Sequence, residues 1–258
     1  MANPRKRPPT SFSDGTQSVR RATTLLRILA SANGLRLTEI GRASGLSLPT
    51  VRRLLKAMME DGLVEQDVES RHYSIGEELS MLALARPFRL PLLAKADMHL
   101  RKLAQDVGDA TFLTIQSRLD SLCVGRYIGT YPIQVMTINV GARRPLGVSS
   151  AGLVILADLP TAKADDIMKR NSKRFAAYGV DFKAAVRRLA QAREHEYSIN
   201  NTGLTVGTRT ISVPLGGTKH TPSAAITVVA IQRRLTSDRI PEVVGLMQEA
   251  AARIAQTL

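Results

Sequence analysis

The sequence predicts an α+β protein: an N-terminal winged helix-turn-helix, a linker helix, and a C-terminal domain whose antiparallel sheet is flanked by helices. Three observations carry this. Residues 18–76 read as helix, helix, tight turn, helix and two-stranded hairpin, an order few other arrangements share. Pro87 and Pro91 interrupt the next helical stretch. Beyond residue 91, strands and helices mix without the strict alternation of a parallel α/β sheet. The expected divisions are a disordered basic tail over 1–17, the head over 18–76, the linker helix over 77–90 and the second domain over 91–258.

The first ordered helix is expected from Ser18 as N-cap to about Ala30, with Val19, Ala22, Leu25, Leu26 and Leu29 on one stripe and Asn33-Gly34 as its stop. Thr38 is expected to cap the short helix TEIGRAS, which Gly45 ends. Ser47 is expected to cap the third helix, with Pro49 in its first turn, where a missing N–H costs nothing. This helix runs to about Asp61, before Gly62. GLVEQD and RHYSIG alternate around Asp67-Val68-Glu69-Ser70 as a hairpin, and Glu77–Ala85 reads as the linker helix. In the second domain, Leu92–Val107 is helical. TFLTIQS and SLCVGRYI are strands around Arg118-Leu119-Asp120, and PIQVMTINVG is a further strand region. A helix is expected from about Ser149 to Asp158, and others over Ala162–Arg170 and Phe182–His195. TRTISVPL and SAAITVVAI are strands joined by the polar loop GGTKHTP. An amphipathic helix over Pro241–Gln256 closes the chain.

At 258 residues the chain suffices for one large domain or two modest ones. Its net charge of +14 and pI near 10.6 favour an anionic partner. Through Met58 there are eleven Lys/Arg against two acids, Asp14 and Glu39, so a polyanion is expected at the N-terminal quarter. The tail cations Arg5, Lys6 and Arg7 read either as a solvated segment or as an arm on phosphates. One cysteine, Cys123, excludes a disulfide framework or cysteine metal cage within the chain and fits a reducing cytoplasm. No secretory signal and no apolar run of membrane-spanning length appear, so no membrane partner is expected.

The third helix carries the sharpest signal. On a 100° wheel, Leu54, Leu55 and Met58 lie near Val51, while Arg53 and Lys56 point the other way, with Thr50 and Arg52 flanking. A charged helix face alone is usually just solvated. Next to a capped turn and a hairpin, it suits the major groove, where arginine pairs bidentately with guanine and a helix N-terminus holds phosphate. The expected DNA contacts are Ser47, Pro49, Thr50, Arg52, Arg53 and Lys56 on this helix, with Arg71 and His72 in the wing.

Enzyme signals are weak, and no catalytic residue, metal ligand or cofactor is expected. Gly147-Val148-Ser149-Ser150-Ala151 approaches a nucleophile elbow but ends in alanine. His72, His99, His195 and His220 are scattered, zinc-ligand spacing is absent, and there is no Walker-type loop. Ser149 instead reads as the cap of a helix whose free N–H groups attract a carboxylate, with Arg143 and Arg144 nearby; plain capping with surface arginines is the alternative.

With these residues in hand, the chain resembles the IclR family of bacterial transcriptional regulators from Ser18 to its C-terminus. The resemblance is most specific over SVRRATTLLRILASANGLRLTEIGRASGLSLPTVRRLLKAMMEDGLVEQD. RHYSIGEELSMLALA is similar to the family's wing and linker, and VGARRPLGVSSAGLVILA and REHEYSINNTGLTVGTRTISVPL to its pocket segments. The resemblance implies a cytoplasmic, nucleoid-associated homodimer or dimer of dimers on double-stranded operator DNA. It implies a GAF-like second domain binding a small organic or aromatic acid as effector. Its pocket residues would be Leu146, Ser149, Ser150, Ala151, Asn200, Thr210 and Thr227. The chain departs from the family's acidic polar loop at Asn200, Asn201 and Thr202, and from its paired late-strand serines at Thr227 and Val229. The competing readings are a small-molecule-binding enzyme and an architectural DNA binder without effector.

Overall fold

The computed structural model describes residues 13–32, 34–85, 91–136, 138–200, 206–217 and 221–258. The chain divides into two compact units, 1–87 and 88–258. The tail cations Arg5, Lys6 and Arg7, together with Asn33, Pro87, Asn201 and Thr202, lie outside the described residues.

In the first unit, α1 spans Ser13–Leu29, α2 Leu37–Ser44 and α3 Leu48–Glu60. The strands β1 (Val64–Gln66) and β2 (Tyr73–Ile75) follow, then α4 (Glu78–Leu84). α1 begins five residues before the expected Ser18 cap, so residues 13–17 are helical rather than tail. Thr38 lies inside α2. The N-cap is Arg36, whose backbone N–H donates to the Glu39 carboxylate at 2.7 Å. Gly45, at φ 67°, makes the left-handed turn into α3. One core joins the three helices to the hairpin: Leu25, Leu29, Ile40, Val51, Leu55, Met58, Val64 and Tyr73. β1 and β2 pair antiparallel from Val64↔Ile75 to Gln66↔Tyr73, and Leu35 bridges to Tyr73 on the other side. That bridge ties the wing to the chain entering α2.

The second unit contains α5 (Pro91–Val107), β3 (Ala110–Ser117), β4 (Asp120–Tyr127), β5 (Arg143–Pro145), α6 (Ser150–Ala157) and α7 (Thr161–Phe175). Then come α8 (Phe182–His195), β6 (Ser198–Asn200), β7 (Thr208–Gly216), β8 (Ala224–Ile231) and α9 (Ile240–Ala255). The strands form one antiparallel sheet in the order β5-β4-β3-β8-β7-β6. Strand alternation sorts the side chains into two faces. Leu113, Ile115, Ile211, Val213, Ile226 and Val228 pack with α5 and α9. On the other side, α6, α7 and α8 share a second core. The expected strand over PIQVMTINVG is not formed. The described part of that segment is irregular, with Val135 buried and Ile138 packed against the cluster that holds Phe112 and Cys123. Gly141 and Ala142 exchange backbone hydrogen bonds with Cys123 of β4, and strand pairing starts at Arg143. α7 runs five residues past its expected end, because Asn171 and Phe175 are buried in the core it serves.

A charged clamp closes the α5–β3 corner. Asp109, 1% exposed, accepts from Arg234 Nε at 2.7 Å and Arg239 Nη1 at 3.2 Å, and both arginines also donate to the Val107 carbonyl. The Arg234 guanidinium lies 3.8 Å from the centre of the Tyr131 ring. The Asp109 hydrogen bond holds the Arg234 pKa above its ordinary value.

Candidate functional site

The head presents α3 as expected from its periodicity. Val51, Leu55 and Met58 are buried and Leu54 is half-buried, whereas Arg52, Arg53 and Lys56 are exposed. No carboxylate pairs with Arg52 or Arg53 among the described residues, and Lys56 meets Glu60 only at 3.9 Å between two exposed side chains. Such a pair contributes little. Ser47 holds the N-cap position, but its hydroxyl pairs with that of Thr50 at 2.9 Å and caps no backbone N–H. Pro49 is exposed beside them. In the wing, Asp67 accepts from the backbone N–H (2.7 Å) and hydroxyl (2.6 Å) of Ser70, which hold its carboxyl below the usual range. Arg71 follows at φ 59° and is exposed. His72 is half-buried near Gly34.

The second unit holds a cavity between the sheet and the N-terminus of α6. Six of the seven expected residues line it: Ser149, Ser150, Ala151, Asn200, Thr210 and Thr227. Leu146 does not. Its side chain is fully buried in the α6–α8 core, and its carbonyl accepts from Asn171. Pocket residues that sequence reasoning missed come from β3, β4 and the loop before β5: Thr114, Ser121, Cys123, Ile138 and Ala142. Burial pushes the Cys123 thiol up to about 11, so near neutral pH it is a protonated, unreactive lining group.

Strand geometry separates the two arginines that the sequence leaves equivalent. Arg144 pairs with Ser121 and shares its face with the cavity, whereas Arg143, opposite Leu122, reaches the Ser117 hydroxyl at 2.8 Å. Arg144 is half-buried. Desolvation is the main cause lowering its pKa, opposed by Tyr178 and Cys123, yet a guanidinium keeps its proton in proteins. No carboxylate among the described residues pairs with it, and no acid lines the cavity.

A chain of hydroxyls crosses the cavity wall. Ser212 Oγ donates to Ser150 Oγ at 2.9 Å, Ser150 contacts Thr210 at 2.9 Å, and Ser212 contacts Thr227 at 2.8 Å. Each hydroxyl has one hydrogen. With that of Ser212 committed to Ser150, Thr227 must donate to Ser212, while between Ser150 and Thr210 either hydroxyl can be the donor. One of those two hydrogens, that of Ser150 or that of Thr210, is then left for whatever occupies the cavity. Ser149 Oγ caps Gly152 N at 3.1 Å, while the N–H groups of Ser150 and Ala151 have no backbone acceptor among the described residues, as in any first turn. Gly147, at φ 104°, brings the chain into α6, and a Cβ there would sit 2.6 Å from both Met168 Sδ and Phe175 Cζ. Donors and positive charge therefore converge with no acid in the lining, an arrangement suited to an anion.

A three-helix head with an exposed basic third helix and a short wing is the winged helix-turn-helix class of DNA-binding protein. The sequence comparisons are more specific. "IclR helix-turn-helix domain" matches residues 18–68, and "Bacterial transcriptional regulator IclR C-terminal" matches residues 88–256. The chain belongs to the IclR family of bacterial transcriptional regulators. It is 27% identical over 243 residues to the transcriptional repressor IclR of Escherichia coli K12, covering 92% of this chain and 88% of the relative. The fold matches an IclR-family regulator from Brucella abortus at TM-score 0.73 and 20% identity, over 99% of this chain and 100% of the other. It also matches an IclR homologue from Microbacterium hydrocarbonoxydans crystallised with 4-hydroxybenzoate, at TM-score 0.68 and 23% identity, over 93% and 98% of the two chains. The relatives compared are named as repressors and regulators, and this chain is a transcriptional regulator. Among the described residues, no helix is long and apolar enough to cross a membrane, and no acid, His or Cys cluster could hold a metal.

Proposed function

We propose that this regulator reads operator DNA with α3 and the wing, and that a small organic monoacid in the α6 cavity controls it. The observation that carries the effector half is Arg144, a half-buried cation facing a cavity with no acid in its lining. A carboxylate there would meet the guanidinium, the Ser150–Thr210 hydroxyl pair and the N–H groups that open α6. One cation matches one negative charge, so monocarboxylates bind better than dicarboxylates. The homologue holding 4-hydroxybenzoate supports an acid of this kind. In the head, Arg52 and Arg53 read base edges, Lys56 and Arg71 hold phosphate, and Ser47, Pro49 and Thr50 seat the helix N-terminus, with His72 beside the wing.

One winged helix buries too little for tight binding, so two copies act on one face of DNA, about 34 Å or a multiple apart. The exposed Val19 of α1 and Met81, Leu82 and Leu84 of α4, the last three each more than half exposed, are the surface a second copy covers, in a dimer or a dimer of dimers. The effector acts through its unequal affinity for the arrangements that do and do not fit the operator. The setting is the bacterial cytoplasm, at the nucleoid.

Titration calorimetry with acetate, pyruvate, benzoate, 4-hydroxybenzoate and a dicarboxylate tests the effector reading. At least one monoacid gives heat, and Arg144→Met weakens it about ten- to a hundredfold, since a hydrogen bond to a charged group is worth about 1.5–3 kcal/mol. The same variant melts no lower than the parent, because it removes a desolvated charge that has no carboxylate partner among the described residues. Silence across the panel, or a variant that binds as tightly as the parent, overturns it.

A further inference from the structure

Most of the chain's positive charge does not sit on its DNA-binding head. The residues up to Met58 are strongly basic, but acids crowd residues 60–78. Counted by compact unit, residues 1–87 carry net +4, and residues 88–258 carry 23 Lys/Arg against 13 acids, net +10. The excess is also one-sided. On the layer formed by α5 and α9, four cations balance four acids, and Arg101, Lys102 and Arg253 pair with Asp97, Asp106 and Glu249 one turn away. The opposite layer differs. α7 and α8 together hold nine Lys/Arg against three acids, net +6.

Helix periodicity gathers the charges of α7 on one side. At about 100° per residue, Lys163, Lys169, Arg170, Lys173 and Arg174 fall within an arc of about 140° on α7. Ala164, Ile167, Met168, Asn171 and Phe175 are buried on the other side. Lys183 and Arg187, one turn apart on α8, are exposed as well. Only Arg170 and Arg174 of these seven meet a carboxylate among the described residues, Asp166 at 3.5 Å and Asp120 at 2.7 Å. An ordinary solvated face interleaves both signs, as α5 does.

We propose that the α7–α8 face is a second, sequence-independent DNA-binding surface, contacting the phosphates of a duplex. From Lys163 to Arg174 the helix rises about 17 Å, a length over which a duplex presents about ten phosphate charges. The chain already binds DNA through its head, so a duplex is the polyanion held at high effective concentration. A lipid surface fits less well. No large apolar side chain of α7 is exposed, and on α8 only Val186 is, so the face lacks the apolar side that interfacial helices insert. The surface adds affinity and salt sensitivity and leaves base preference to α3.

Salt-dependent binding by the full-length protein tests this. In the variant Lys169→Gln, Lys173→Gln, Lys183→Gln, Arg187→Gln, the slope of log affinity against log salt becomes shallower by about 2 or more, at about 0.9 for each phosphate no longer neutralised. Affinity falls for operator and unrelated duplex alike, and the ratio between them holds. The reversal Lys169→Glu, Lys173→Glu has the larger effect per residue, and unchanged melting temperatures show that both variants are folded. A slope unchanged in both folded variants overturns the proposal. So does an unchanged DNA slope accompanied by weakened binding to phosphatidylserine-containing vesicles, which assigns the face to lipid.

Discussion

Replacing Arg52 and Arg53 together by alanine weakens operator binding about a hundredfold or more, because in the proposed reading each makes a bidentate arginine–guanine pair that contributes about 1–3 kcal/mol of discrimination. The melting temperature stays put, since both side chains are exposed and no carboxylate among the described residues pairs with them. Specificity collapses with affinity, so the variant retains the weak, salt-sensitive binding of any basic protein to any duplex. Lys56→Ala behaves differently: its proposed phosphate contact carries no sequence information, so operator and random DNA lose affinity together and the salt slope changes by about 1. Gel shifts on the DNA upstream of the gene, against a scrambled duplex, separate these outcomes. Wild-type affinity in the double variant would falsify the assignment of α3 as the reading helix.

The largest expected effect on stability is Asp109→Ala. The carboxylate is buried and answers two guanidiniums, so its loss leaves two like charges facing one another. Breaking a buried pair costs about 3–5 kcal/mol. The lower end applies, because Arg234 and Arg239 keep about a quarter of their surface in water and Arg234 retains the Tyr131 ring. For a unit of this size, about 3 kcal/mol lowers the melting temperature by about 6–12 °C. The loss is confined to the transition of the second unit. Calorimetric melting checks it, and a drop below about 1 kcal/mol means the clamp is dispensable. The DNA-reading residues are untouched, so a preparation folded at low temperature retains the charge of its head.

How far the sequence alone reaches follows the distance over which each feature is encoded. The α3 region is legible because its signals are local. Gly45, Ser47, Pro49 and the spacing Val51-Leu55-Met58 lie within fourteen residues, and the exposed basic face follows from where the apolar one must go. Even there the caps differ from expectation. A backbone N–H at Arg36 satisfied by Glu39 replaces Thr38, and α1 extends back through Ser18 because nothing before it forbids a helix. Of the cavity, the residues alone indicate the Ser149 helix start with its nearby arginines; the strand-borne lining is legible only through the family pattern. That lining runs from Thr114 to Thr227 and is assembled by strands paired across more than a hundred residues. Which side of β5 faces inward depends on its register with β4, so neither Arg144's place in the cavity nor Leu146's exclusion from it can be read from order along the chain. PIQVMTINVG has strand-like composition, but its apolar groups pack as irregular chain against the cluster that holds Phe112 and Cys123. The charge map fails for a simpler reason: a count ending at Met58 stops just short of the acids that offset it.

The two outermost strands of the second unit's sheet, β5 and β6, are three residues each. A neighbouring molecule finds almost no backbone ladder to extend, which guards a concentrated, strand-rich protein against growing into fibres. Any contact between copies along these edges would therefore rest on side chains and be adjustable by single substitutions.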